Sequence, residues 1–288
     1  MKRGGAMKNG LCLAGGGVKG AAHIGAIKVF EEKGIKFDYV AGTSSGSIVA
    51  ALYASGFTSD EMLKIFKKYC KKIKYVDFVN IVKLILGLIF TRKIKIDGLN
   101  SGRQIEKLIN KVCNKKGIYT IRDIKMPLAI PSVNICNGEV ICFTSCENRK
   151  EPLENTIFIN DIEIGNAVRA SCSYPVVFSP CNYKNIKLID GGIRENVPWK
   201  ELKFLGADKI INVVFKENEK ESCDRNLVEV ATRSIGLLCN ELSGYEMTGA
   251  ENVIEIKSDK VGLLDMSKID YLYKLGYKET AKNINKFL

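Results

Sequence analysis

One histidine, His23, stands in a chain of 288 residues. A serine hydroxyl is commonly activated by a histidine that a carboxylate orients. A hydrolase of that ordinary kind would have to bring this one imidazole to its nucleophile. The ten cysteines, at positions 12, 70, 113, 136, 142, 146, 172, 181, 223 and 239, include no Cys-x-x-Cys pair, the spacing that zinc sites commonly use. Several sit in apolar runs such as Val140-Ile141-Cys142-Phe143, so they are expected to be reduced, buried and packed as small hydrophobes, with no metal bound. Internal repeats and low-complexity tracts are missing. So is an apolar h-region after the basic start Met1–Gly10, and no apolar run reaches the length of a bilayer span. The expectation is a cytoplasmic protein without signal peptide or transmembrane segment.

What is present is ordinary in bulk. An apolar share of 46% and a charged share of 26% are those of a globular chain, and the length suits one large domain or two small ones. The net charge of +12 favours an anionic surface. Its lysines are spread along the chain without arginine-aromatic clusters for base readout, so nucleic acid is not expected as a partner. Peripheral contact with anionic lipid headgroups is.

Gly10-Leu11-Cys12-Leu13-Ala14 reads as a strand, Gly15-Gly16-Gly17-Val18-Lys19-Gly20 as a loop, and Ala21 to Lys33 as a helix. Strand, glycine loop and helix together present backbone amides to an anion. The spacing Gly15-x-Gly17-x-x-Gly20 also meets the dinucleotide fingerprint, which needs an acidic residue ending the second strand about 20 residues on. Asp38 has the distance but stands near the start of its strand. A phosphate loop fails as well, because the Gly-Lys-Ser/Thr pattern is absent.

The end of that second strand, Phe37 to Ala41, is occupied by Gly42-Thr43-Ser44-Ser45-Gly46, and Ser47 to Ser55 reads as a helix. Strand, Gly-x-Ser-x-Gly, helix is the context of a nucleophile elbow. Glycines at both flanks let a crowded turn close and leave the serine oxygen exposed at its apex. A helix is expected from Asp60 to Ile73, capped by Ser59-Asp60-Glu61. The apolar run Ile81–Phe90 follows, bracketed by lysines and arginine. It reads either as a buried cap helix or as an interfacial segment beside a lipid site. Asn100–Asn114 has helical spacing. Leu128–Ile135 and Val140–Thr144 read as strands about a turn at Asn137-Gly138. Ile164–Ser173 reads as a helix stopped by Pro175. Ile186–Ile189 is a strand delivering Asp190-Gly191-Gly192. A strand at 210–215, a helix at 225–242, a strand at 253–256 and a helix from Ile269 complete the chain. Alternating β and α elements imply a largely parallel sheet covered on both faces.

Ser44 needs a base. His23 follows the glycine loop by one helical turn, but nothing in the sequence sets its ring against Ser44, so a structural or orienting role is assigned to it. Asp190 is the better candidate. It ends an apolar strand in a parallel sheet, where sites collect, and the two glycines after it leave the carboxylate unobstructed. A buried carboxylate touching a serine hydroxyl can act as general base.

In order along the chain, Gly15 to Gly20, Gly42-Thr43-Ser44-Ser45-Gly46 and Asp190-Gly191-Gly192 resemble the motifs of the patatin-like phospholipase family. Arg169-Ala170-Ser171 with Pro175, and Asn196-Val197-Pro198, add to the likeness, which covers about residues 11 to 205. The resemblance implies a three-layer α/β/α sandwich and hydrolysis of acyl-ester lipids, phospholipids among them, by a Ser-Asp dyad without cofactor or metal. By the same resemblance Ser44 is the nucleophile, Asp190 the proton acceptor, and Gly15, Gly16, Gly17, Lys19 and Gly20 form the oxyanion-hole loop. Gly42 and Gly46 flank the nucleophile, and Gly191 and Gly192 complete the aspartate motif. Cys172 within the Ala-Ser stretch is a minor departure. The expected organisation is one domain at 11–205 with a cap-like insertion near 60–125, and an α/β extension at 206–288 packed on it. Two rivals stand beside this reading, a lipid-binding module without turnover and a nucleotide-binding oxidoreductase.

Overall fold

The computed structural model describes residues 7–70, 82, 86, 90, 96–147, 153–216, 226–258, 261–262 and 265–287. Of the expected cap-like insertion near 60–125, the stretch 71–95 apart from residues 82, 86 and 90, and with it the greater part of Ile81–Phe90, lies outside the described residues. Val82, Leu86 and Phe90 are described, and all three are exposed.

The described residues form a nine-stranded sheet. Its main path runs β5 (Thr156–Ile159), β4 (Val140–Thr144), β3 (Leu128–Asn134), β2 (Tyr39–Gly42), β1 (Asn9–Leu13), β8 (Lys209–Lys216) and β9 (Val253–Lys257). A short hairpin, β6 (Cys181–Tyr183) and β7 (Ile186–Asp190), joins it at β3. Strand β1 pairs parallel with β2 and β8, β2 with β3, β8 with β9 and β4 with β5. The pairings of β3 with β4 and β7, and of β6 with β7, are antiparallel. The sheet is mixed but mostly parallel. Strands β8 and β9, from the expected 206–288 extension, extend the same sheet beside β1.

Central strands that are buried along most of their length and largely apolar are what a sheet covered on both faces requires. Leu11, Leu13, Val40, Leu128 and Ile130 point to one face, where they meet α1 (Gly20–Glu32), α2 (Ser45–Ala54), α3 (Ser59–Cys70), α4 (Arg103–Asn114) and α5 (Ile164–Ser171). Their neighbours Cys12, Ala14, Ala41, Ala129 and Cys142 point to the other face and pack on Leu202 and Leu205 of α6 (Trp199–Leu205). Alternation along each strand thus builds two cores and three layers. The buried cysteines behave as expected: Cys12, Cys113, Cys142, Cys172 and Cys181 lie inside the protein, and none of them is in a disulfide among the described residues.

Two further helices complete the chain, α7 (Leu227–Glu246) and α8 (Ile269–Asn283). Helix α8 lies on α1 at close range. A Cβ on Gly276 would strike the backbone of Ala22, and one on Gly25 the backbone of Tyr273 and Tyr277, so each helix uses a glycine to admit the other. The start of α3 differs from expectation. Thr58 caps it, with Glu61 accepting from the Thr58 amide at 2.8 Å and the Glu61 amide donating to Thr58 Oγ1 at 3.3 Å, a reciprocal capping box. Ser59 is inside the helix and donates its amide and hydroxyl to Glu31.

Candidate active site

Strand β2 ends at Gly42, and Ser44 sits between it and α2 with φ 52° and ψ −123°. That conformation is costly for a residue with a Cβ, about 1–3 kcal/mol, and persists only where the surroundings over-determine it. They do so here. A Cβ on Gly42 would strike the carbonyl of Gly46, and one on Gly46 the carbonyl of Leu13. The Thr43 amide donates to Leu13 O at 3.2 Å, and the Ser47 hydroxyl to Ser44 O at 2.6 Å. The Ser44 amide donates to Ser171 Oγ at 2.9 Å, which gives a physical role to the last residue of the Arg169-Ala170-Ser171 stretch. The serine is thereby pinned at the apex of the turn.

The direction of β7 corrects the sequence expectation. Asp190 does not end a strand parallel to its neighbour; β7 runs antiparallel to β3, with Asp190 opposite Ser132. One edge of β3 is taken by β4, and the other is shared end to end by β2, with Ala41 opposite Ala129, and by β7. The two strands approach along one lane from opposite directions, and their C-terminal ends meet. This head-on meeting brings together residues 146 apart, and Ser44 Oγ donates to Asp190 Oδ2 at 2.6 Å. The other carboxylate oxygen accepts from the Gly192 amide at 2.8 Å, a bond that the turn after β7 provides.

Asp190 is 2% exposed. Burial pushes its carboxyl up to about 7, with the Ser44 hydroxyl and the Gly192 amide pulling it back. A base whose pKa lies near neutrality is suited to take a proton and return it.

His23 takes no part in this contact. It is fully buried in α1, and its Nε2 lies 2.8 Å from the Ala14 carbonyl oxygen. Its ring stands 4.6 Å from that of Phe215. Burial lowers its pKa to about 4, against the Ala14 bond. A neutral imidazole with Nε2–H donating to the carbonyl that precedes the glycine loop is a structural brace.

The loop itself lies against Ser44. The position of a Cβ on Gly15 would be 3.2 Å from Ser44 Cβ. The Gly15 amide donates to Asn196, at 3.2 Å to the carbonyl oxygen and 3.1 Å to Oδ1. For the amides of Gly16 and Gly17 no partner occurs among the described residues, and Gly17 has φ +59°. Lys19 is buried, and a Cβ on Gly20 would meet Ser45 Cβ at 2.9 Å, so the loop and the turn of Ser44 interlock. Asp38, the residue a dinucleotide site would need, is engaged by the amide of Asn9 at 2.8 Å. That bond is at the start of β1, the opposite end from the glycine loop.

Sequence reasoning missed a second layer of polar groups. Both oxygens of Glu246 accept from the Asn196 amide, at 3.1 and 3.0 Å, and Oε2 also from the Val197 amide at 3.0 Å. Burial pushes Glu246 up to about 7, the two amides and Lys200 opposing it. Burial raises Glu195 and Glu201 too, and repulsion within this group of three carboxylates adds to the effect. Neither oxygen of Glu201 has a partner among the described residues. Nothing in the sequence around these glutamates distinguishes them from surface ones. Among the described residues no group of three or more His, Cys, Asp or Glu side chains is placed to hold a metal ion.

Ser44, Asp190 and Gly15 to Lys19 border a cavity of about 1070 Å³, at the upper end of the range of ligand sites. Its walls are largely apolar, from Ile48, Phe66, Val177 and Phe178 on one side and Leu237 and Met247 on the other. No described helix is long and apolar enough to cross a membrane.

Comparison with known proteins gives a consistent answer. A family model described as patatin-like phospholipase matches residues 11–203. The uncharacterized protein YqhO of Bacillus subtilis is 34% identical over 228 residues, covering 75% of this chain and 74% of that protein. A lysophospholipase NTE1 of Meyerozyma guilliermondii is 29% identical over 205 residues; these cover 71% of this chain but 12% of the relative. The chain therefore spans about an eighth of the length of that lysophospholipase. Among solved structures, VipD from Legionella pneumophila superposes with a TM-score of 0.55 at 16% identity, over 98% of this chain and 67% of that one. That last likeness is one of fold.

Proposed function

This chain belongs to the patatin-like phospholipase family, and from that premise we propose that it is a lipid acyl hydrolase working through a dyad of Ser44 and Asp190. The observation that carries the reading is the 2.6 Å bond from Ser44 Oγ to a buried carboxylate whose pKa is raised to about 7. The ionised Asp190 accepts the hydroxyl proton as Ser44 Oγ bonds to the acyl carbonyl carbon. The oxyanion so formed is met by the amides of Gly16 and Gly17, and losing one such donor costs about 10²–10³ in rate. Collapse of the tetrahedral intermediate breaks the bond to the alcohol, which leaves with the proton from Asp190. Water then attacks the acyl-serine ester and gives its proton to Asp190. The fatty acid departs, and Ser44 recovers its hydrogen.

The substrate class in this proposal is a fatty-acyl ester of a phospholipid or a related lipid. The apolar walls of the cavity support it, as does the likeness to lysophospholipases. The net charge of +12 supports peripheral contact with an anionic membrane. Residues 11–205 would form the catalytic unit and 206–288 an extension of it, consistent with β8 and β9 lying in the same sheet.

The test has two arms. A fluorophosphonate probe is expected to label Ser44 in the wild type and not in Ser44→Ala. Mass spectrometry is expected to detect free fatty acid released from lysophosphatidylcholine and from phosphatidylglycerol vesicles. A folded wild type that neither takes the probe nor releases fatty acid overturns the proposal.

A further inference from the structure

Residues 195–197 touch each of the motifs around Ser44. The Glu195 carbonyl accepts from Thr43 Oγ1 at 2.7 Å, inside the turn that carries Ser44. Asn196 holds the Gly15 amide with its carbonyl and its side-chain oxygen. A Cβ on Gly192, in the turn that serves Asp190, would lie 3.1 Å from Asn196 Oδ1. This short segment has no regular secondary structure of its own to hold it. The last turn of α7 holds Asn196 and Val197. Glu246 accepts from the amides of Asn196 and Val197, Ser243 Oγ accepts from Asn196 Nδ2 at 2.9 Å, and the Glu246 carbonyl accepts from Trp199 Nε1 at 2.8 Å.

Resting on the reading above, we propose that Glu246 is a positioning residue for the glycine loop, acting through Asn196. It touches neither the substrate nor the reacting atoms. Its carboxylate fixes the main chain of Asn196, and Ser243 fixes the orientation of the Asn196 amide, so that Oδ1 faces Gly15. With the Gly15 amide bound there, the neighbouring amides of Gly16 and Gly17 are the ones left to face an oxyanion. Truncating Glu246 leaves two buried N–H groups unpaired, and a buried donor without a partner is strained toward any new one. The segment would shift, and Gly15 would shift with it beside Ser44. A misplacement of about 1 Å in a catalytic group can cost about 10²-fold in rate. Helix α7 lies beyond residues 11–203, the part matched by the family model. The inference therefore assigns a role at the site to the C-terminal region.

The experiment compares full-length wild type with Glu246→Ala, Glu246→Gln and Ser243→Ala on p-nitrophenyl butyrate, alongside hydrogen exchange at the Gly15 amide. Glu246→Ala is expected to lower kcat by about 10–100-fold with KM changed less than about threefold. Glu246→Gln keeps a side-chain oxygen for both amides and is expected to return kcat to within about threefold of wild type. Exchange at Gly15 is expected to quicken at least about tenfold in Glu246→Ala and to stay near wild type in Glu246→Gln. A folded Glu246→Ala with wild-type kcat and wild-type Gly15 exchange overturns the proposal. So does an alanine and glutamine pair equally impaired and equally lowered in Tm, which would mark a role in folding alone. If Glu246→Ala does not fold, Ser243→Ala carries the test: it is expected to lower kcat about three- to tenfold, and wild-type kcat with wild-type Gly15 exchange overturns the idea. A wild type without esterase activity, but with Gly15 exchange that depends on Glu246, would sink the functional reading and leave the positioning intact.

Discussion

Two helices adjoin segments of the candidate site, and they are held in opposite ways. Helix α1, which follows the glycine loop, has ten of its thirteen residues buried; α7, which closes the far side of the cavity, has one buried residue among twenty. The first rests on apolar packing against the sheet and on α8. The second rests on polar contacts at particular points: Glu246 and Ser243 with Asn196, and the Thr232 carbonyl with Tyr174 Oη at 2.9 Å. Local opening free energies follow buried apolar contact, so amides of α7 are expected to exchange faster than those of α1. The site thus has a firmly packed helix behind the glycine loop and a lightly held wall that borders the ligand space.

The largest expected effect falls on the rigid side. Asp190→Asn keeps the shape of the buried side chain but removes the base, and turnover is expected to fall by about 10³-fold or more. The same change removes a buried charge, so Tm at pH 8 is expected to stay level or rise. His23→Ala separates the dyad from a histidine mechanism. Because His23 bonds to Ala14 O alone among the described residues and packs on Phe215, the variant is expected to lower Tm while the refolded enzyme retains turnover. Activity lost with His23 and kept with Asp190→Asn would reverse the assignment.

Next in size is a break in the packing of α1. Gly276→Val places a branched side chain into the backbone of Ala22 and is expected to cost about 1–3 kcal/mol or more. Thermal unfolding measures it. An unchanged Tm would mean that α8 is not seated on α1 as described.

The third effect is a pH dependence in which stability and activity run in opposite directions. Burial raises Asp190 and Glu246 to about 7, and burial raises Glu201 as well. These groups hold their protons in the folded chain at a pH where the unfolded chain has already lost them. Their contribution to stability is therefore fully present below about pH 4 and is lost as pH rises through about 7. In the proposed dyad turnover needs ionised Asp190, so kcat/KM is expected to rise over the upper part of that window. Glu201→Gln, neutral at every pH, is expected to flatten the fall in Tm between pH 5 and 8 while leaving the rise in kcat/KM in place. A Tm that climbs with pH above about 7, where His23 is neutral both folded and unfolded, contradicts the buried carboxylates.

The same two sides of the site differ in how far the sequence revealed them. The glycine loop and the turn of Ser44 are local features. Gly15 to Gly20 and Gly42 to Gly46 are spaced as the backbone needs them, and steric demands of that kind leave a trace in neighbouring residues. Asp190 was legible through its strand and the glycines after it, though the direction of β7 was not. Alternating elements suggested a parallel partner, whereas pairing was decided by the short β6–β7 hairpin. Strands of three and four residues, β6 and β5, carry too little periodicity to be read. The Glu246–Asn196 contact joins positions 50 apart, and a glutamate near the end of a polar helix looks the same whether it faces water or a buried amide. The identity of α7 as a helix was legible, but its role beside the loop depended on tertiary contact alone.

The smallest effect tests the lightly held wall directly. Leu238 on α7 is 72% exposed, so Leu238→Ser removes little packing and is expected to change stability by no more than about 0.5 kcal/mol. It lies two turns before Glu246, away from the Asn196 contacts, and kcat on a soluble short-chain ester is expected to stay within about twofold of wild type. A large loss of stability would mean that α7 is packed as firmly as α1 and that the contrast between the two helices is wrong. A stable variant with normal kcat on the soluble ester and slower release of fatty acid from vesicles would sharpen it. The outer face of α7 would then matter where the substrate lies in a lipid surface, and the inner face would matter for the glycine loop.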